Sequence, residues 1–159
     1  MTPTSSDVRI LVDAQALRPG HAGPITGPIS LWINGESFPI KNWSDFIVVV
    51  LTWWGHSLIR LVRQQSSLEK IPFMDGPFEV EVQARAPTTW QVRAYRRGRV
   101  HREQIFDAVC EPTALIESFV AASAAVLQAC QERGFRSADI SRLSISLLEL
   151  SGFVPGRYE

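Results

Sequence analysis

The sequence predicts an α+β fold, in which an antiparallel sheet, a hairpin plus a three-strand meander, packs against two or three helices as a two-layer sandwich. Three observations support this prediction. Apolar residues recur at helical spacing from Asn42 to Gln65, apolar and polar residues alternate from Phe78 to Phe106, and a second helical stripe follows Pro112. With 159 residues, of which 45% are hydrophobic, the chain is long enough to bury one sizeable core.

The N-terminal part is predicted to contain short strands and turns. A loosely alternating strand over Val8–Leu17 precedes Arg18–Pro28, where three prolines and three glycines predict an exposed loop. Ile29–Ile33 is a short strand, and Asn34-Gly35 is a strong signal for a tight hairpin that returns the chain into Glu36–Phe38. These segments supply the hairpin of the sheet.

The stretch from Asn42 to Gln65 is predicted to be a helix that is buried on most sides. At about 100° per residue its bulky side chains, including Trp53 and Trp54, cover about half of the circumference and are expected in the core. The β-branched run Ile47–Val50 would also suit a buried strand, but the length and an opposite polar stripe favour the helix. The polar stripe consists of Asp45, Thr52, His56 and Arg63. The candidate N-caps are Asn42 and Ser44, with Asp45 in the first turn.

A three-stranded antiparallel meander with one solvated face is predicted to follow. Residues Ser66–Asp75 form the connector, and the strands alternate from Phe78 to Ala84, from Trp90 to Tyr95 and from Val100 to Phe106. Arg97-Gly98 is the predicted turn between the last two strands.

Two helices are predicted after the meander. Pro112 suits a first helical residue, the side chains from Leu115 to Cys130 form one apolar stripe, and Gly134 is typical of the position just past a helix C-terminus. The stretch Ser137–Leu150 has leucines at helical spacing but also alternates over Leu143–Leu147. A helix capped by Ser137 is favoured, with a strand as the alternative.

Charge and cysteine content restrict the functional class. Sixteen basic and sixteen acidic side chains give zero net charge, which disfavours a dedicated nucleic-acid binder or a peripheral membrane protein. Cys110 and Cys130 would stand at opposite ends of a helix about 30 Å long, so buried free thiols in a reducing cytosol are expected. The N-terminus lacks a signal-peptide pattern, and the apolar run Phe46–Trp54 is too short to span a bilayer. We expect a single cytoplasmic domain whose ends, residues 1–7 and 152–159, are flexible.

The clearest polar concentration surrounds the last hairpin turn, over residues 93–102. Arginines there suit an acidic protein surface, RNA or phosphate, although they would also pair with Glu79, Glu81 and Glu103 across the sheet. The balanced charge favours a protein partner over nucleic acid. The register after the turn is not fixed, and a shift of one residue would exchange the faces of His101 and Glu103. The candidate binding residues are Arg93, Tyr95, Arg96, Arg97, Arg99, His101 and Arg102.

No motif identifies a reaction. The sequence contains no CxxC, HExxH, GxxxxGK[ST] or GxSxG pattern. Asp45 and His56 are eleven residues apart on the predicted helix, about 16 Å along its axis, so they do not form a catalytic pair. We therefore expect a non-enzymatic protein without a cofactor or metal, for which self-association is an open alternative.

Three short segments carry a resemblance to known proteins. They are Trp43-Ser44-Asp45-Phe46, Leu51-Thr52-Trp53-Trp54 and Phe73-Met74-Asp75-Gly76-Pro77. Over residues 29–82 they resemble a phrase, W-x-D-F … L-x-W-W … F-M-D-G-P, in small uncharacterised bacterial α+β proteins of the immunity-protein type. Immunity proteins neutralise toxins that are made beside them. The resemblance implies a cytoplasmic binding protein without a catalytic site.

The charge pattern modifies what the resemblance implies. Immunity proteins against nucleases usually present a strongly acidic face, whereas this chain is neutral and has a basic hairpin, which disfavours a nuclease target. The leading hypothesis is a non-enzymatic protein-binding module of the immunity or antagonist class. The alternative is an RNA- or phosphate-binding protein that uses the arginine-rich hairpin.

Overall fold

The computed structural model describes residues 5–19 and 24–154, which form two antiparallel sheets and three helices. The first sheet has five strands and the second has four. The helices pack on one another and on both sheets, and the buried apolar side chains form one continuous core. The predicted α+β class is confirmed.

The first sheet is built around one long strand, β3. Two strands, β1 and β4, flank the second half of β3 on opposite edges, whereas β2 and β5 pair with its first half. Asn34 and Gly35 both have positive φ, 50° and 93°, as the predicted hairpin turn requires. The elements are β1 (Val8–Val12), a 3₁₀ helix (Ala14–Ala16), β2 (Arg18–Pro19), β3 (Ile25–Ile33), β4 (Glu36–Phe38) and β5 (Ser44–Asp45).

The predicted exposed loop over residues 18–28 is wrong for much of its length. Both of its ends are strands, in β2 and in β3, while its residues 20–23 lie outside the described part of the chain. Gly27 explains why a loop-like composition enters the sheet. A Cβ at this position would lie 2.7 Å from Cδ2 of Leu17, so only glycine lets the backbone come this close to the core. The predicted strand over residues 8–17 is likewise shorter, because the 3₁₀ helix interrupts it.

The first helix, α1, spans Ile47–Val62 and is shorter than the predicted Asn42–Gln65. The predicted N-caps are wrong, because Ser44 and Asp45 pair with β3 and the helix begins after Phe46 without a side-chain cap. The pairing of this segment with β3 therefore takes precedence over the local capping preference.

The two adjacent tryptophans of α1 have different environments. Trp54 is buried, and its Nε1 donates to the carbonyl oxygen of Pro72 at 2.7 Å. Trp53 is 38% exposed, so the prediction that both lie in the core is wrong for Trp53. The residues of the predicted polar stripe do not share one environment. Thr52 is buried and its hydroxyl donates to the Val48 carbonyl, whereas His56 is exposed.

The buried carboxylate of Asp45 joins the start of α1 to the segment that follows Pro72 and precedes Phe78, between two strands of the second sheet. Its oxygens accept hydrogen bonds from Nε1 of Trp43 at 3.1 Å and from the backbone N–H of Phe46 at 2.7 Å. They also accept from the N–H groups of Met74 at 3.1 Å and Asp75 at 3.2 Å. Two of the three segments of the phrase W-x-D-F … L-x-W-W … F-M-D-G-P therefore meet at this carboxylate, which links them by hydrogen bonds.

The second sheet has the order β6-β7-β8-β9, all antiparallel. The predicted meander is present as β7 to β9, but the prediction that residues 66–75 only connect is wrong, because β6 lies within them and pairs with β7. The last strand begins at Arg102, two residues later than predicted. The strands are β6 (Leu68–Pro72), β7 (Phe78–Ala86), β8 (Thr89–Arg97) and β9 (Arg102–Cys110).

The two C-terminal helices are confirmed as α2 (Pro112–Glu132) and α3 (Ala138–Ser151). After α2, Gly134 has φ of +72°, and the N–H of Phe135 donates to the Cys130 carbonyl at 2.9 Å. The hydroxyl of Ser137 caps α3 by accepting from the Ile140 N–H at 3.2 Å. By length and composition α2 could span a membrane, but half of its most apolar window is buried within the protein.

Both ends of the described chain are attached to the rest of the fold. The N–H of Ser6 donates to the carbonyl of Val109 at 2.6 Å, which links the N-terminal segment to β9. Val154 is buried at the other end. The remaining residues predicted to be flexible, 1–4 and 155–159, lie outside the described part.

The two cysteines are buried free thiols, as the sequence predicts. Burial raises the pKa of Cys110 to about 12 and also raises the pKa of Cys130, which Arg133 partly opposes. We expect neither thiol to react with a disulfide reagent at about pH 8 in the folded protein, because the thiolate is the reacting species. Both should react in urea, and a spectroscopic thiol assay with and without denaturant measures this. Rapid labelling of the folded protein would contradict it.

The same pKa shifts predict how stability depends on pH. Unfolded thiols lose protons above about pH 8.5, while the folded thiols keep them, so the free energy of unfolding should fall as the pH rises beyond this point. The contribution is fully present below about pH 8.5. Cys110→Ala, compared with the parent protein by urea denaturation on both sides of this pH, should show a shallower decline.

Candidate functional site: the outer face of the second sheet

One face of the β6–β9 sheet packs on the core, and the other, here the outer face, carries polar side chains. Val80, Val82, Val92 and Ala94 are buried on the inner side. The strand register brings residues of three neighbouring strands into two rows on the outer face. The first row is Glu79, Tyr95 and Gln104, and the second is Glu81, Arg93 and Asp107.

Arg102 covers the first row. Its guanidinium carbon lies 3.8 Å from the ring centroid of Tyr95, and Nη1 lies 3.2 Å from Oε1 of Glu79 and 2.6 Å from Oε1 of Glu81. Tyr95 is only 7% exposed although it lies on the outer face, because Arg102 lies over it. The hydrogen bond to Glu81 raises the pKa of Arg102. Arg102 is therefore held in one position by stacking and by two carboxylates.

A second polar network is centred on Gln91. Its Oε1 accepts from Nε of Arg85 at 2.8 Å and from Nη2 of Arg93 at 2.9 Å, while its Nε2 donates to Oδ1 of Asp107 at 2.7 Å. Asp107 also lies 3.9 Å from Nε of Arg93. The outer face thus has positive and negative groups that neutralise each other.

The turn between β8 and β9, residues 98–101, differs from the sheet because Arg99 within it, and Arg96 and Arg97 before it, pair with no carboxylate among the described residues. The N–H of Gly98 donates to the carbonyl of His101 at 2.8 Å and closes the turn. All three arginines are exposed, and Nη2 of Arg97 donates to the backbone carbonyl of Gly76 at 3.4 Å. We call the segment from Arg96 to His101 the arginine tip.

Exposed apolar side chains accompany the arginine tip. Val100, within it, is 83% exposed. Ile105 is 40% exposed and has no partner on β8, because Ala94 pairs with Phe106 and Tyr95 with Gln104. The turn at residues 98–101 fixes the register that the sequence left open, with Arg97 opposite Arg102, and the bulge at Ile105 then shifts the pairing of the rest of β9 by one residue.

The structure thus separates the seven predicted binding residues into two groups. Arg93, Tyr95 and Arg102 belong to the neutralised networks of the sheet. Of the two arginines, Arg102 makes the predicted cross-strand pairs with Glu79 and Glu81, whereas Arg93 pairs with Asp107. The other group is Arg96, Arg97, Arg99 and His101, which lie in the arginine tip and are exposed. Glu103, also predicted to pair with an arginine, lies opposite Arg96 in the register but makes no ion pair with any described residue. Sequence reasoning missed Gln91 and Asp107, since uncharged or single acidic residues on a strand give no signal of a network.

Comparison with protein-family models, curated protein sequences and solved structures found no match to this chain. Within the described residues, no group of three or more His, Cys, Asp or Glu side chains is arranged to hold a metal ion. The functional argument therefore depends on the geometry of the outer face and the arginine tip.

Proposed function

We propose that the protein is a non-enzymatic binding module that captures an acidic protein surface with its arginine tip, as a cytoplasmic immunity or antagonist protein would. The observation that supports this is the pairing state of the arginines. Arg102 and Arg93 are occupied by carboxylates, whereas Arg96, Arg97 and Arg99 are exposed and without an ion pair among the described residues. The β8–β9 ladder and the stacked Arg102 lie at the base of the tip, so these guanidinium groups extend from paired strands.

The apolar groups at the tip favour a protein partner over RNA. Val100 and Ile105 are exposed beside the arginines, and a mixture of Arg with apolar side chains is typical of protein interfaces. On the adjacent face Glu79, Glu81 and Asp107 neutralise Arg102 and Arg93, so that face offers no net positive charge to a phosphate backbone that extended beyond the tip. RNA or phosphate binding is the second candidate, favoured only by the three arginines that make no ion pair among the described residues.

Charge reversal at the tip tests the proposal. We expect the wild-type protein to form a stable complex when co-expressed with the product of the adjacent gene, and Arg96→Glu/Arg97→Glu to lose at least about 2 kcal/mol of binding free energy, or about thirtyfold in Kd. Arg18→Glu/Arg136→Glu is the matched control, because both residues are exposed and without an ion pair in the described chain. Isothermal titration calorimetry on purified components gives the three Kd values.

The outcomes separate the two candidates. Equal loss in the control variant, or no loss at the tip, would remove the arginine tip as the binding site. Binding of a short single-stranded RNA with a steep salt dependence, which flattens in Arg96→Glu/Arg97→Glu, would favour the nucleic-acid candidate instead.

A further inference from the structure

The side of α3 that faces away from the core carries two large apolar residues. Ile145 is 59% exposed and Leu148 is 75% exposed, whereas Leu143 and Leu150 on the opposite side are fully buried. Because α3 is firmly packed on α1 and α2, this side is presented by a fixed helix. Exposed apolar pairs on such a helix are typical of an interface.

Three small residues surround the two large apolar residues on this side of α3. At about 100° per residue, the residues that share the direction of Ile145 to within about 60° are Ala138, Ser141, Leu148 and Gly152, with Arg142 and Glu149 on one flank. Of these, Ala138, Ser141, Arg142 and Gly152 are also exposed. The small residues towards both ends of the helix leave room for the backbone of another helix to approach.

We propose that α3 pairs with α3 of a second copy, antiparallel, about a two-fold axis that passes next to Ile145. Arg142 lies three residues before Ile145 and Glu149 lies four residues after it, on the same flank. The two-fold axis brings Arg142 of one copy to the level of Glu149 of the other, to within about 1.5 Å along the helix axis. The same operation places Leu148 beside the small Ser141 of the second copy.

The charges select this partner and this orientation. Arg142 already lies 3.3 Å from Asp139, and Glu149 lies 3.2 Å from Arg63, both as exposed pairs. In the antiparallel pair, Glu149 of one copy would meet Arg142 of the other. Each such contact joins the Arg63–Glu149 pair of one copy to the Arg142–Asp139 pair of the second, so the dimer has two networks of alternating charge. A parallel pair would instead place Arg142 and Glu149 on the opposite flank from their counterparts, beside Ser141 and Leu148 of the second copy, and would form no ion pair between them across the interface.

Sedimentation velocity over a range of protein concentrations up to near-millimolar tests self-association. We expect a monomer–dimer equilibrium for the wild-type protein and at least a tenfold weaker one for Ile145→Asp. Ile40→Asp is the matched control, because Ile40 is 58% exposed, close to the 59% of Ile145, lies outside both α3 and the arginine tip, and should leave the equilibrium unchanged. A wild-type protein that stays monomeric throughout, or an Ile145→Asp variant that dimerises normally, would overturn the proposal.

A mixing experiment tests the orientation. Arg142→Glu alone brings two carboxylates together at each charged contact of the dimer, and Glu149→Arg alone brings two guanidinium groups together there. Each variant should therefore dimerise at least tenfold more weakly than wild type. An equimolar mixture of the two variants forms heterodimers with two different contacts. One contact has the wild-type pair, Arg142 with Glu149, and the other has the same pair with the charges of positions 142 and 149 exchanged.

 Both contacts of the heterodimer then join opposite charges, so the mixture should recover dimer to near the wild-type level. Failure of the mixture to recover would overturn the antiparallel arrangement. Circular dichroism of each variant shows that loss of dimer is not loss of folding.

Discussion

Asp45→Ala is expected to destabilise the fold by about 3 to 5 kcal/mol, because it removes the acceptor of four hydrogen bonds in a buried place. Three of the four donors are backbone N–H groups, of Phe46, Met74 and Asp75, and each is left without its partner. An unsatisfied buried donor costs about 1 to 3 kcal/mol, and entry of water offsets part of the total. Urea denaturation followed by circular dichroism measures the change.

Asp75→Ala is the control for this prediction. Asp75 belongs to the same phrase and has the same charge, but it is exposed, so its replacement should change the free energy of unfolding by less than about 0.5 kcal/mol. Asp45→Asn should fall between the two, because the amide oxygen still accepts while the amide NH₂ now faces N–H donors. Similar stability for Asp45→Ala and Asp75→Ala would show that the buried carboxylate does not join the two segments.

The elements that the sequence predicts correctly are those whose pattern has a local cause. The alternation from Phe78 to Ala84 identifies β7, and Gly134 marks the end of α2, because a positive φ there favours glycine. The missed elements depend on distant partners. The strand β6 has no clear alternation, and its pairing with β7 gives it its conformation. The strand β3 begins before the predicted Ile29 because Gly27 lets the backbone lie close to Leu17. The composition of the segment does not show this tertiary contact.

The candidate site was partly predictable for the same reason. The concentration of arginines over residues 93–102 is a local property, and the predicted pairing with Glu79 and Glu81 follows from strand alternation. Which arginine takes both carboxylates depends on the turn at residues 98–101, because this turn pairs Arg97 with Arg102 and so sets the alignment of Arg102 with Tyr95. A sequence pattern with a period of two contains no information about the length of that turn or about the bulge at Ile105.

Gly55→Val is expected to destabilise the protein by about 4 kcal/mol and Gly55→Ala by about 2 kcal/mol. Gly55 lies in the middle of α1 where all three helices meet. A Cβ at this position would lie 2.9 Å from Cζ of Phe119 on α2 and 3.0 Å from Cβ of Ser146 on α3. In an unpacked helix, replacing glycine by alanine stabilises by about 1 kcal/mol. At Gly55 the contacts reverse the sign of this stability change, because α2 and α3 must move away from α1 to admit one methyl group.

A double-mutant cycle separates this steric effect from helix propensity. Phe119→Leu shortens the nearest side chain, so adding Gly55→Ala to it should cost at least about 1 kcal/mol less than adding Gly55→Ala to the wild type. Ala125→Gly, on the exposed side of α2, measures the propensity difference alone and should cost about 1 kcal/mol. If Gly55→Ala stabilised the protein by that same amount, the helices would not be in close contact at this position. Urea denaturation of the four proteins of the cycle and of Ala125→Gly distinguishes these results, since only close packing makes the substitutions at 55 and 119 interdependent.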